Sequence, residues 1–126
     1  MLIDSCALVW FARGDPQLSE LGRRALDAVD ARRFVSAASA WEITTKVRLG
    51  KWPAAEYLAA NFAPVINELG FMELPVTVEH GRRAGMLPGP HKDPCDRMLI
   101  AQVEAEDLSI VSSDRILDEY HIRRIW

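Results

Sequence analysis

The segment from His91 to Asp114, HKDPCDRMLIAQVEAEDLSIVSSD, constrains the fold more than any other stretch, because it encodes a capped helix followed at once by a buried strand. Asp93-Pro94 is a helix opening: the aspartate accepts hydrogen bonds from the free N–H groups of the first turn, and proline at the first helical position has no N–H to leave unpaired. The spacing predicts a helix from about Pro94. Leu108-Ser109-Ile110-Val111 then carries the branched residues of a short buried strand that stops at Ser112-Ser113-Asp114.

The rest of the chain repeats this grammar. Met1-Leu2-Ile3 is a minimal strand ending at Asp4, and Ser5 to Ala12 has the Leu8, Trp10 and Phe11 content of a buried helix. After the turn Gly14-Asp15-Pro16, apolar residues at Leu18, Leu21, Ala25 and Val29 predict one buried helix face, with Arg23, Arg24, Asp27 and Asp30 solvated. Phe34-Val35-Ser36 is a strand, and Ala37 to Leu49 a helix closed by Gly50. Pro53 opens a helical stretch that Pro64 should kink or split. Phe71 to Leu74 is a strand stopped by Pro75, Thr77 caps a helix to about Met86, and Ile122 to Trp126 forms a last strand at a sheet edge. About five short strands separated by helices imply an α/β fold, with a small parallel sheet flanked by helices on both faces.

Composition bounds the rest. A chain of 126 residues that is 49% hydrophobic is long enough for one sizeable core, so residues 1–126 read as a single domain. A formal net charge of −3 excludes nucleic-acid binding through bulk charge alone, although 15 lysines and arginines leave room for a local patch. With Cys6 and Cys95 the only cysteines, and Met1 running directly into Leu2-Ile3-Asp4, a cytoplasmic protein is expected. No apolar run approaches the roughly 18 residues of a membrane span.

Four acids stand out against this frame. Asp4 and Asp114 end strands, on the side where open α/β sheets form their binding crevice, yet each is also a natural N-cap for the helix that follows. Asp96 shares a helix stripe with Leu99, Ile100 and Val103, where a carboxylate needs a partner, a metal or a proton unless it merely complements the helix dipole. Glu42 closes the capping box Ser39-Ala40-Trp41-Glu42 if the helix starts there; if it starts at Ala37 or Ala38, Glu42 lies past the first turn on the face of Ala38, Thr45 and Leu49.

The stretches LIDSCALVW, AWEITTKVRLGK, GFMELPV, HKDPCDRMLIAQ and LSIVSSD together resemble those of PIN-domain ribonucleases of the VapC type, the toxins of bacterial type II toxin-antitoxin pairs, and the resemblance spans essentially the whole chain. It implies a metal-dependent endoribonuclease whose catalytic and metal-binding acids are Asp4, Glu42, Asp96 and Asp114, a Mg²⁺ or Mn²⁺ cofactor, an RNA substrate, a homodimer, and a VapB-type antitoxin whose C-terminal segment covers the site. The chain departs from that pattern at Ser5-Cys6, where such proteins commonly carry Thr-His, and at Cys95, where they carry Phe. Ser5 keeps a hydroxyl able to orient Asp4, and the two cysteines are expected to be small buried thiols.

Clustered carboxylates suit hard divalent cations, which also bind phosphate oxygens. Asp4 and Asp96 are the foremost expected ligands, followed by Asp114, with Glu42 expected either to act through water or to orient the nucleophile. Lys46, Lys92 and Arg97 are candidates to hold substrate phosphates, against the alternative of solvated charge. The aromatic residues Trp10, Phe11, Tyr57 and Phe62 are expected to wall an antitoxin groove, against the alternative that they are core. Two rivals are a phosphatase using Asp4 as nucleophile, disfavoured by the lack of a second acid in Asp4-Ser5-Cys6, and a catalytically silent binding module, disfavoured by four intact acids.

Overall fold

A computed structural model describes residues 1–126. Five strands, β1 (Leu2–Ile3), β2 (Phe34–Ser36), β3 (Met72–Leu74), β4 (Ser109–Val111) and β5 (Arg123–Ile125), form one sheet in the order β3-β2-β1-β4-β5. Every neighbouring pair is parallel, with Leu2 opposite Phe34 and Ile110, and Ile3 opposite Val35 and Val111. Seven α-helices make the connections: α1 (Ser5–Arg13), α2 (Glu20–Asp27), α3 (Ala37–Arg48), α4 (Glu56–Ala60), α5 (Phe62–Glu68), α6 (Val78–Met86) and α7 (Pro94–Glu106). None is long and apolar enough to cross a membrane.

Alternation along such short strands sorts the core into two layers. Ile3, Val35 and Val111 face one side, packing with Leu8 of α1, Leu26 of α2, Ile43 of α3, Leu58 and Ile66. Leu2 and Ile110 face the other, against Leu99, Ile100 and Val103 of α7. Both faces are therefore covered, as a parallel sheet requires.

The local signals explain most boundaries. Asp93 accepts hydrogen bonds from the N–H groups of Cys95 and Asp96, opening α7 at Pro94, and Asp107 closes it in the left-handed region at φ 51°. Thr77 caps α6 through a reciprocal pair with His80, whose Nε2 lies 2.8 Å from Glu106 of α7. The stretch after Pro53 breaks at Asn61 into α4 and α5, as Pro64 requires.

One expectation is corrected. Helix α2 is rotated from the Leu18-Leu21-Ala25-Val29 stripe: it buries Gly22 and Leu26 beside Leu18, while Leu21 and Val29 are exposed. Ser19 caps it, so α2 starts after Leu18 and Val29 falls beyond its end at Asp27. Of the aromatic residues expected to wall a groove, Trp10, Phe11 and Phe62 are half-buried against the core layer. Trp10 packs on Trp126 and Phe11 edge-on to Phe71, each at 5.8 Å, and Phe62 joins the same layer, leaving Tyr57 exposed.

Candidate active site

The strand order places β1 at the centre, with the chain running outward through β2 and β3 on one side and β4 and β5 on the other. Where the order reverses, the carboxyl ends of adjacent strands part, and open α/β sheets form their crevice there. Asp4 follows β1, Asp114 lies just past β4, and the Asp4 N–H donates to Val111 O at 3.1 Å across that junction.

Both aspartates cap the helical turns that follow them, and each cap leaves a second carboxylate oxygen. Asp4 Oδ1 accepts from the Ala7 N–H at 2.7 Å, capping α1. Asp114 Oδ1 accepts from the Ile116 N–H at 3.0 Å, capping the 3-10 turn Arg115–Glu119. Each cap engages one carboxylate oxygen, and Asp114 Oδ2 is turned inward to His91 Nε2 at 2.7 Å. Ser112 lies between the two acids: its hydroxyl accepts from the Asp114 N–H at 3.1 Å, and its nearness to Asp4 favours that carboxylate's ionised form. Ser5, expected to orient Asp4, instead has its hydroxyl buried without a protein partner.

Helices bring in the other two acids. Ser36, not Ser39, caps α3, so no capping box forms and Glu42 lies beyond the first turn, its side chain 12% exposed and 3.2 Å from Lys46 Nζ. Asp96, in the first turn of α7, has Oδ2 3.2 Å from His91 Nε2. Ligand atoms of His91, Asp96 and Asp114 lie within 4.8 Å of one another, as do those of Glu42, Asp93 and Cys95.

The electrostatics register this crowding. Burial, then the charges of Asp93, Glu42 and Asp4, push the Asp96 carboxyl up to about 7 against the opposing influence of His91. Burial also pushes Asp4 up to about 6, reinforced by Glu42 and Asp114 and opposed by the Ser112 and Ala7 hydrogen bonds. Mutual influence places all four expected acids in one electrostatic unit, assembled from β1, α3, α7 and the end of β4. The residues fit a hard divalent ion: the donor set is rich in carboxylate oxygen, and Asp4 and Asp96 lie among like charges that protein cations leave incompletely answered.

The basic candidates separate. Arg97 turns away to donate to the carbonyls of His91 at 2.9 Å, Ala84 at 3.2 Å and Leu87, so it braces the loop before α7 and is not free to hold phosphate. Lys46 pairs with Glu42 and sits over the Trp52 ring at 5.4 Å, while Lys92 is exposed. Asp93 serves as the cap of α7, as expected, and Asp118 pairs with Arg124 at 2.8 Å. The cysteines correct the expectation of buried thiols: Cys6 is exposed and Cys95 half-buried. Local desolvation followed by neighbouring carboxylates raises both thiols to about 11, so neither is a ready thiolate.

His91 and Ser112 were missed from sequence. A histidine two residues before an N-cap can lie over the helix's first turn, and the Ser112-Ser113-Asp114 spacing lets a hydroxyl bond to the N–H two residues on. Both signals were present but ambiguous without the partner segment.

The family model described as PIN domain matches residues 1–122. The chain belongs to the PIN-domain family. No curated protein matches this PIN domain significantly. The crystal structure of VapBC2 from Rickettsia felis, bound to a DNA fragment from their promoter, contains a similar chain with a TM-score of 0.69, covering 99% of this chain and 98% of that one. At 12% identity the likeness is one of fold, and it embraces the whole sheet.

Proposed function

We propose that this PIN domain is a divalent-metal-dependent endoribonuclease acting as the toxin of a VapC-type toxin-antitoxin pair. The observation that supports the reading is the grouping of Asp96 and Asp114 with His91 beside the reversal point of the sheet, together with the charge influence of Glu42 and Asp114 on Asp4 and of Glu42 and Asp4 on Asp96, both of which are raised well above the usual carboxylate range. Asp4, Asp96 and Asp114 would hold Mg²⁺ or Mn²⁺, with Glu42 closing the cluster. When bound, such an ion polarises phosphate oxygens and makes water a stronger nucleophile near neutral pH.

The chain's own residues supply position. The Ala7 and Ile116 N–H caps and the Ser112 hydroxyl fix Asp4 and Asp114 before any ligand arrives. Asp93 fixes the first turn of α7 and hence Asp96. Exposed Lys92, and Lys46 if it exchanges Glu42 for a phosphate, supply charge for the RNA backbone.

The fold it shares with a VapBC2 chain supports a VapB-type antitoxin as partner, and we place the protein in the cytoplasm as a homodimer. Exposed Tyr57 and the cavity of about 400 Å³ lined by Phe62, Ile66, Leu74 and Pro75 are the candidates for the antitoxin surface. The test is a cleavage map on total RNA with Mg²⁺, Mn²⁺ or chelator, using antitoxin-free wild type, Asp4→Asn and Asp96→Asn. Defined fragments from wild type with metal alone support the reading; equal cleavage by either folded variant overturns it. Co-expression with the neighbouring small reading frame tests the partner by co-purification.

A further inference from the structure

The cluster contains one buried group to which neither the capping nor the charge pattern assigns a task. The His91 side chain is 7% exposed and touches two of the four acids through a single nitrogen. Its hydrogen-bond surroundings determine how that nitrogen acts. The Asp93 backbone N–H, an obligate donor, approaches His91 Nδ1 at 3.2 Å, so Nδ1 must accept. In the neutral ring the proton then resides on Nε2, which donates to Asp114 Oδ2 at 2.7 Å and lies 3.2 Å from Asp96 Oδ2.

The residue is anchored on every side. Its N–H donates to Tyr120 Oη at 3.0 Å, and its carbonyl accepts from Arg97 Nη1 at 2.9 Å. Tyr120 is itself buried in the α7 layer. Because Asp114 Oδ1 is already held by the Ile116 N–H, the His91 bond to Oδ2 removes the remaining rotational freedom of that carboxylate. A carboxylate held at both oxygens presents its outer lone pairs in one direction, and groups that orient ligands from outside the coordination sphere typically change metal affinity by about 10–100-fold.

We propose that His91 is a positioning residue: its Nε2–H clamps Asp114 beside Asp96, aligning the two carboxylates for a divalent cation without itself becoming a ligand. The inference rests on the reading of the cluster as a divalent-metal site, but not on RNA being the substrate.

The experiment measures Mn²⁺ affinity by calorimetry on wild type, His91→Leu and His91→Gln, with melting temperatures confirming the fold. Long-range ¹H–¹⁵N spectra of the wild-type imidazole are recorded with and without diamagnetic Mg²⁺. We expect His91→Leu to weaken Mn²⁺ binding by about 10–100-fold, and His91→Gln, which keeps an N–H donor of similar reach, to recover most of the loss. The ring should show the Nε2–H tautomer in both spectra. Loss of the Nε2 proton on Mg²⁺ addition, or equal loss of affinity in the Gln and Leu variants, would mean that His91 is a ligand and would overturn the proposal. Wild-type affinity in folded His91→Leu would also overturn it. Should His91→Leu not fold, the Gln affinity and the tautomer decide. Wild type that binds no Mn²⁺ would overturn both this inference and the metal reading; wild type that binds Mn²⁺ but cuts no RNA would remove only the ribonuclease reading.

Discussion

Replacing Asp96 with asparagine should stabilise the metal-free protein while abolishing its response to metal. A carboxyl that titrates near 7 in the fold and near 4 in the unfolded chain binds its proton more tightly when folded, so ionising it at pH 8 disfavours the native state. That separation corresponds to at most about 4 kcal/mol at about 1.4 kcal/mol per pH unit. The Asp96 side chain is 32% exposed, and solvent screening plus a lost helix-dipole interaction reduce the expected net gain to about 1–2 kcal/mol. For a chain of this size that is an increase of about 4–8 °C in melting temperature.

The pH dependence has a definite sign. Because the folded midpoint is raised, the stability penalty in wild type is present above about pH 7 and fades as pH falls toward the unfolded midpoint near 4. The advantage of Asp96→Asn should therefore be large at pH 8 in chelator and small at pH 5. Adding Mn²⁺ should invert the order, since an ion that binds only the folded cluster stabilises wild type by mass action. Thermal melts at both pH values, with EDTA or Mn²⁺, check each arm. An advantage equal at pH 5 and pH 8, or an equal Mn²⁺ shift in both proteins, would refute the reasoning.

Arg97→Met should cost about 2–4 kcal/mol in urea unfolding, because buried carbonyls lose a charged donor; weaker RNA binding at unchanged stability would instead restore Arg97 as a phosphate contact. Ser36→Ala should cost about 1 kcal/mol as a lost N-cap, whereas Ser39→Ala should raise stability by about 1 kcal/mol, since it removes a buried hydroxyl that has no protein partner. Gly89, at φ 112°, has no room for a methyl, since a Cβ would lie 2.8 Å from the Tyr120 ring. Gly89→Ala should therefore cost about 1–3 kcal/mol through backbone strain and displacement of Tyr120, measurable by chemical denaturation.

The elements easiest to read were those whose signals are local. Asp93-Pro94, Thr77 and Pro64 act on their own or adjacent turns, and α7, α6 and the α4–α5 break follow them. Helix α2 was misread because its apolar residues permit two stripes, and only the sheet decides between them. Val111 lies close enough to Gly22 that a Cβ there would approach it to 3.3 Å, so the helix turns its small residue inward and sends Leu21 to solvent. The partners of the aromatic residues are illegible for a related reason. Trp10 finds Trp126 at the far end of the chain, and a pairing of such sequence separation leaves no periodic trace.

The site divides along the same physical line. Asp4 and Asp114 were legible because a strand-end aspartate before a helix has a local reason to exist: the backbone cap immobilises one oxygen and leaves the other for a further partner, which for Asp114 is His91. Glu42 remained ambiguous until Ser36 took the cap and moved the helix start three residues upstream of the capping-box reading. His91 and Ser112 act between segments, the first joining the start of α7 to the end of β4, the second joining the ends of β1 and β4. Their side chains are common in turns for local reasons, so residue type alone does not announce the longer-range role. The reversal in strand order gives those local motifs a shared destination: it brings separately capped carboxylates close enough to resist ionisation, and a cluster that resists ionisation is one that a divalent cation can relieve.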